Sequence, residues 1–216
     1  MDKIHIPFIP DLDNLDTGEI ISRLESDGER HTVESLNWAA EYPYHPLTTF
    51  TLAHSEKNLY IDFFVRCNYL RAVNYANNTN VGDDSCVQIY LQPESAAGKY
   101  WNFEFNCIGT VNAASRSKHS HPAPLSDDEI ASIARYASCG TRPFEEIEGL
   151  FTWNLLAVIP LRLIDIEYCG KPVSLRGNIY KCASATSQPH FLSWAPVRTA
   201  KPDFDQPDFF APIILD

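Results

Sequence analysis

Tyr100, Asn102, Glu104 and Asn106 occupy every second position of one short segment, and Trp101, Phe103, Phe105 and Cys107 fill the positions between them. In an extended chain this spacing puts a phenol, two amides and a carboxylate on one face and an apolar set on the other. Such planar polar groups suit a polyhydroxylated ligand: amides and carboxylates pair with vicinal hydroxyls while aromatic rings stack on C–H faces. Gln88 and Tyr90, at alternate positions of segment 85–92, extend the patch if that strand lies alongside. The same pattern also fits a solvated sheet face or a second, polar-lined core layer, and spacing alone leaves these open. Glu104 with Asp83 or Asp84 would be a different chemistry, the paired carboxylates of a glycan-processing hydrolase. Adjacent acids at the mouth of a strand are more often turn and strand-start residues than an acid/base pair.

Other chemistries find little support. The acidic run 11–16 has Leu15 where a calcium loop of the EF-hand type needs an oxygen ligand. His119-Ser120-His121 lacks a further ligand motif and reads as surface. Met1 is the sole methionine, which excludes a Met/His haem site. No GxSxG elbow is present. The cysteines (67, 86, 107, 139, 169 and 182) contain no CxxC pair and read as buried free thiols. No cofactor is expected, and a structural calcium ion is left open.

The elements that must position these groups are short alternating runs. Segments 59–66, 85–92, 100–107, 152–160 and 177–183 each alternate apolar and polar residues, and 31–38, 47–54 and 189–194 are further strands. At least eight strands punctuated by Pro and Gly predict an all-β antiparallel sandwich with short inserted helices. One helix is expected over 17–25. A second is expected over 125–138, where Ser126 and Glu129 form a capping-box signature. Residues 112–124, rich in Ser, Ala, His and Pro, read as a loop. The 216 residues form one domain, with 1–37 an N-terminal extension whose helix packs on it.

With 17 Lys+Arg against 28 Asp+Glu the net charge is −11, which argues against nucleic acid. No run approaches the length of a membrane span, so no membrane partner is expected. The first residues show no basic region leading into an apolar run, so the chain as written reads as cytoplasmic, with export left open.

Several blocks in order resemble carbohydrate-binding module family 9, in its stand-alone bacterial branch. They are Leu59-Tyr60-Ile61, Val81-Gly82-Asp83-Asp84-Ser85-Cys86-Val87-Gln88-Ile89-Tyr90 and Tyr100-Trp101-Asn102-Phe103-Glu104-Phe105-Asn106. The series continues through Trp153, Ile159-Pro160, Asn178-Ile179-Tyr180-Lys181-Cys182, His190-Phe191-Leu192-Ser193-Trp194 and Pro202-Asp203-Phe204 to Pro207-Asp208-Phe209-Phe210. The resemblance implies a non-catalytic β-sandwich that clamps a saccharide between two tryptophans. It also implies the prospect of a glycan-degrading enzyme as partner. At the first tryptophan position this chain has Gly82, and at the second it has Phe204, with Ala211 replacing a nearby glycine. Gln88 stands in place of a carboxylate, and Glu104 and Asn102 in place of basic and amide groups. The ligand-binding residues implied are Arg71, Gln88, Asn102, Glu104, Tyr180, Lys181 and Phe204, with Trp194 packing beside Pro196. A structural or protein-interaction domain that has lost sugar binding is the remaining alternative.

Overall fold

The computed structural model describes residues 3–117 and 120–216. In chain order the strands are β1 (Ile4–Ile6), β2 (Glu29–Thr32), β3 (Ser35–Leu36), β4 (Leu47–His54), β5 (Asn58–Ala72), β6 (Cys86–Pro93) and β7 (Tyr100–Asn106). They continue as β8 (Val111–Ser117), β9 (Ser120–Pro124), β10 (Ala134–Ala137), β11 (Phe144–Pro160), β12 (Val173–Ala183), β13 (His190–Ser193) and β14 (Ala211–Leu215). Among the described residues they form a nine-stranded sheet, ordered β1-β14-β12-β6-β7-β8-β9 with β13 beside β12 and β3 beside β13, and a five-stranded sheet, β10-β11-β5-β4-β2. Pairing is antiparallel apart from β1 with β14. The chain is an all-β sandwich.

Alternation decides which side chains meet between the sheets. Val87, Ile89 and Leu91 of β6, with Trp101, Phe103 and Phe105 of β7, face Leu59, Ile61, Phe63 and Val65 of β5 across one continuous core. Trp194 packs into the same core and adjoins His31. Burying one such aromatic or aliphatic side chain contributes roughly 1.5–3 kcal/mol.

The N-terminal residues supply β1 and β3 to one sheet and β2 to the other. Between them α1 (Thr17–Asp27) begins with a reciprocal Asp16–Glu19 capping box. Its buried Ile20 and Leu24 pack on Ala53, Tyr60 and Leu156 of the five-stranded sheet.

Three expectations about elements need correction. The helix placed over 125–138 is only α2 (Asp127–Ala131), with the Ser126–Glu129 box in place. Ala134–Ala137 instead pair with Leu155–Val158 on β11, because an available strand edge outweighs a weak helical pattern. The stretch 112–124 contains β8 and β9, which pair as a hairpin along the sheet margin, with Ser115 opposite Ala123. Segment 31–38 divides between β2 and β3 in different sheets. His119 lies outside the described residues, and His121 is exposed.

Candidate functional site

Register builds the site. On β6, Gln88 pairs with Tyr180 of β12 on one side and Glu104 of β7 on the other, and Glu104 pairs with Asn112 of β8. One row of polar and phenolic side chains, Tyr180–Gln88–Glu104–Asn112, therefore crosses four strands on the outer face of the nine-stranded sheet. The neighbouring rows bring together Asn178, Tyr90 and Asn102 on one side and Cys182, Cys86 and Asn106 on the other.

Glu104 is the hub of this face. Its Oε1 accepts from the Tyr90 hydroxyl at 3.1 Å and Asn102 Nδ2 at 2.9 Å, and its Oε2 accepts from Asn112 Nδ2 at 3.2 Å. Arg116 Nε donates to Asn102 Oδ1 at 2.6 Å and fixes the amide that points at Glu104. Burial pushes the Glu104 carboxyl above its ordinary range, and the donors from Asn112, Tyr90 and Asn102 and the charge of Arg116 oppose that rise.

Residues 202–210 pass over the face and divide it. At one end Phe210 meets Tyr90 and Tyr100 edge-on, at centroid distances of 6.1 and 5.6 Å. Tyr100 donates its hydroxyl to Asp205, whose other oxygen accepts from Arg116. That end, with fully buried Asn102, is a polar-lined second core layer. At the other end a concavity of about 260 Å³ remains open, with Gln88, Glu104 and Cys182 from the sheet among its lining. Its walls come from Asn80, Gly82 and Asp83 on one side and Phe191, Pro202, Asp203 and Phe204 on the other, with Ser184 at the margin.

Phe204 stacks on Tyr180 with centroids 4.1 Å apart and planes 18° from parallel, and Tyr180 donates its hydroxyl to the Phe204 carbonyl at 3.3 Å. Trp38 and Phe191 pack against Phe204 at 6.1 and 6.2 Å and brace it. On the opposite wall Gly82 contributes nothing beyond its backbone. A Cβ there would stand 3.8 Å from Gln88 Nε2 and 3.9 Å from Cys182 Sγ, which is ordinary contact. The backbone does not demand glycine, so its effect is to leave that side of the concavity open.

Gln88 is only 4 % exposed. Its Nε2 contacts Cys182 Sγ at 3.3 Å and Cys86 Sγ at 3.7 Å, while its Oε1 has no hydrogen-bond partner. An unpaired buried acceptor costs about 1–3 kcal/mol, an amount a ligand donor could recover.

Of the residues proposed from sequence, the structure brings Gln88, Glu104 and Phe204 to one concavity, with Tyr180 directly beneath Phe204 and Asn102 supporting Glu104. It does not bring Arg71 or Lys181 there. Arg71 Nη1 donates to Asp84 Oδ1 at 2.6 Å. Asp84 is wholly buried and also accepts from the Val73 and Asn74 backbone amides and from Asn106 Nδ2, so the pair anchors the loop after β5.

Lys181 follows Tyr180 on a strand and so points the opposite way, between the sheets. It is fully buried, and its Nζ donates to the Cys182 carbonyl and to His190 Nε2, both at 2.8 Å. Burial drives its ammonium pKa down. His190 is likewise lowered by burial and by the neighbouring Lys181 charge.

Asp84, tied in this way, is no acid/base partner for Glu104. Asp83 does line the concavity, where it accepts from Ser184 Oγ at 2.5 Å and Asn80 Nδ2 at 2.7 Å. Cys182, Ser184 and Asp203 were not foreseen. Cys182 could have been found from its two-residue offset from Tyr180, and Asp203 from its place beside Phe204. Among the described residues no group of three or more His, Cys, Asp or Glu side chains is placed to hold a metal ion.

The sandwich carries a polar and aromatic recess of about 260 Å³ on the outer face of one sheet. The family described as Carbohydrate-binding family 9 matches residues 23–215, and the chain belongs to that family. Among solved structures, it is similar to a protein of Bacteroides uniformis ATCC 8492 that is provisionally assigned to carbohydrate binding. The identity is 28 % and the TM-score 0.93, over 100 % of this chain and 99 % of that one. It also shares the fold of a family 9 module from Caldicellulosiruptor kristjanssonii. The glucose complex of that module is 14 % identical with a TM-score of 0.61, over 100 % of this chain and 96 % of that one. The cellotriose complex is 12 % identical with a TM-score of 0.59, over 99 % and 93 %. No curated protein matches the chain.

Proposed function

We propose that the protein binds a saccharide without transforming it, and seats one sugar ring between Phe204 and the Gln88–Glu104 row. The observation that carries this reading is a recess lined by Gln88, whose buried Oε1 is unpaired, together with Glu104 and an aromatic platform. Family membership supports it, as do the glucose and cellotriose complexes of the Caldicellulosiruptor module. With Gly82 opposite Phe204 the ring has one aromatic wall, so single-ring affinity should be weak, near the millimolar range.

The Glu104 carboxylate already accepts three neutral donors, which suits a fixed acceptor better than a proton shuttle. A glycan-degrading enzyme acting with this chain belongs to the same proposal. Isothermal titration against mono- and oligosaccharides tests the reading. Saturable binding weakened by Gln88→Ala is expected, and no binding at millimolar sugar would overturn it. Turnover of an aryl-glycoside panel that is lost in Glu104→Gln would overturn the non-catalytic part.

A further inference from the structure

We propose that this recess selects its sugar by charge: it favours an amino sugar bearing a free ammonium over the neutral isostere, and disfavours a uronic acid. The inference rests on the reading of the recess as a saccharide site. Three carboxylates line it, Asp83, Glu104 and Asp203, and none of its lining residues is Lys or Arg. Their hydrogen bonds come from uncharged groups: Asn80 and Ser184 to Asp83, Tyr90, Asn102 and Asn112 to Glu104, and Gln206 Nε2 and the Asp205 amide to Asp203. These bonds orient the carboxylates without neutralising them.

The buried and half-buried cations around the recess are committed elsewhere, and exposed Lys201, beside Pro202, does not line it. Arg71 is paired with wholly buried Asp84, and Arg116 with Asp205. Lys181 lies behind the sheet against His190. The whole chain, at −11, adds to the same field.

The hydrogen-bonding complement points the same way. Three side-chain donors that line the recess are already engaged: Asn80 Nδ2 and Ser184 Oγ on Asp83, and Gln88 Nε2 on Cys182. What remains is the acceptor capacity of the carboxylate oxygens; the unpartnered Oε1 of Gln88, in a side chain only 4 % exposed, adds a buried acceptor. An ammonium offers three donors and no acceptor, whereas a uronate adds acceptors and negative charge where both are already in excess. Asp203 is exposed, so the gain is that of a screened ion pair, about two- to fivefold in affinity.

The test is titration of the full chain with glucosamine, glucose, N-acetylglucosamine and glucuronate, at about 20 mM and about 0.5 M NaCl, where screening differs strongly. N-acetylglucosamine keeps the nitrogen and removes its charge. Glucosamine should bind about two- to fivefold more tightly than glucose or N-acetylglucosamine, and glucuronate least. The preference should shrink at high salt and in both Asp203→Asn and Asp83→Asn. Equal affinities for glucosamine and glucose, or glucuronate binding as tightly as glucose, would overturn charge selection and leave the saccharide site standing. A preference that persists at high salt and in both variants would also overturn it. Failure of every sugar to bind would overturn the saccharide reading, and this inference with it.

Discussion

Glu104 and Asp62 stand on the outer faces of the two sheets, and burial pushes both carboxyls upward, yet their surroundings are opposite. Glu104 receives three side-chain donors and shares its recess with Phe204, which stacks on Tyr180. Asp62 lines a concavity of about 330 Å³ with Thr49, Thr51, Phe64, Asn154, Glu25 and Arg30, and its buried Oδ1 has no partner. Its carboxyl rises to about 6, first through burial and then through the charge of Glu25, with Arg30 opposing. The two regions are alike in composition, both polar with a phenylalanine. They differ in preorganisation: one carboxylate is held in place before any ligand arrives, and the other is left bare. A list of polar and aromatic residues therefore does not distinguish a preorganised concavity from a bare one, whereas the hydrogen-bond network does.

The contrast is broken most forcefully at Glu104. Glu104→Ala would leave Tyr90, Asn102 and Asn112 without their acceptor, and we expect a loss of about 3 kcal/mol in denaturant unfolding. A loss below about 0.5 kcal/mol would mean that the network is not the organising feature described. Asp62→Asn should act in the opposite direction and stabilise the fold by about 1–3 kcal/mol above pH 7, because it removes a desolvated charge.

The sign follows from linkage. The carboxyl titrates at about 6 in the folded chain and at its ordinary 3.8 when unfolded, so the folded chain keeps a proton that the unfolded chain loses between those values. Stability should therefore fall as pH rises from about 4 to about 6, and this slope should flatten in Asp62→Asn. Thermal melts across that range would show it, and an unchanged slope would contradict the account. The smallest effect concerns the platform alone. Phe204→Ala should weaken sugar binding about tenfold, worth about 1.4 kcal/mol, while exposed Lys57→Ala leaves it unchanged.

Face assignment was legible wherever alternation was strict. The split of β7 into Trp101, Phe103 and Phe105 inward and Asn102, Glu104 and Asn106 outward holds in the structure. The capping boxes at Asp16 and Ser126 are both formed, though only the second was named from sequence. What failed depended on tertiary partners. Nothing local in the Ser- and Ala-rich stretch of β8 indicates that the β7 edge is waiting to pair with it.

Lys181 and Tyr180 were both placed on the ligand face, although neighbours on a strand cannot share one. The lysine is accommodated inside by His190 and a backbone carbonyl that only the fold brings near. Arg71 was misplaced for a similar reason, since its partner Asp84 lies on the far side of an Asn-rich loop. Gly82 and Phe204, more than a hundred residues apart in sequence, do line one recess.

The central claim is that the recess between Phe204 and the Gln88–Glu104 row holds the sugar. A crystal structure of the chain at saturating glucose tests it directly. The account predicts one pyranose ring against Phe204, with a hydroxyl donating to Gln88 Oε1. A ring bound instead over Asp62, or a recess left empty while sugar occupies another surface, would contradict it.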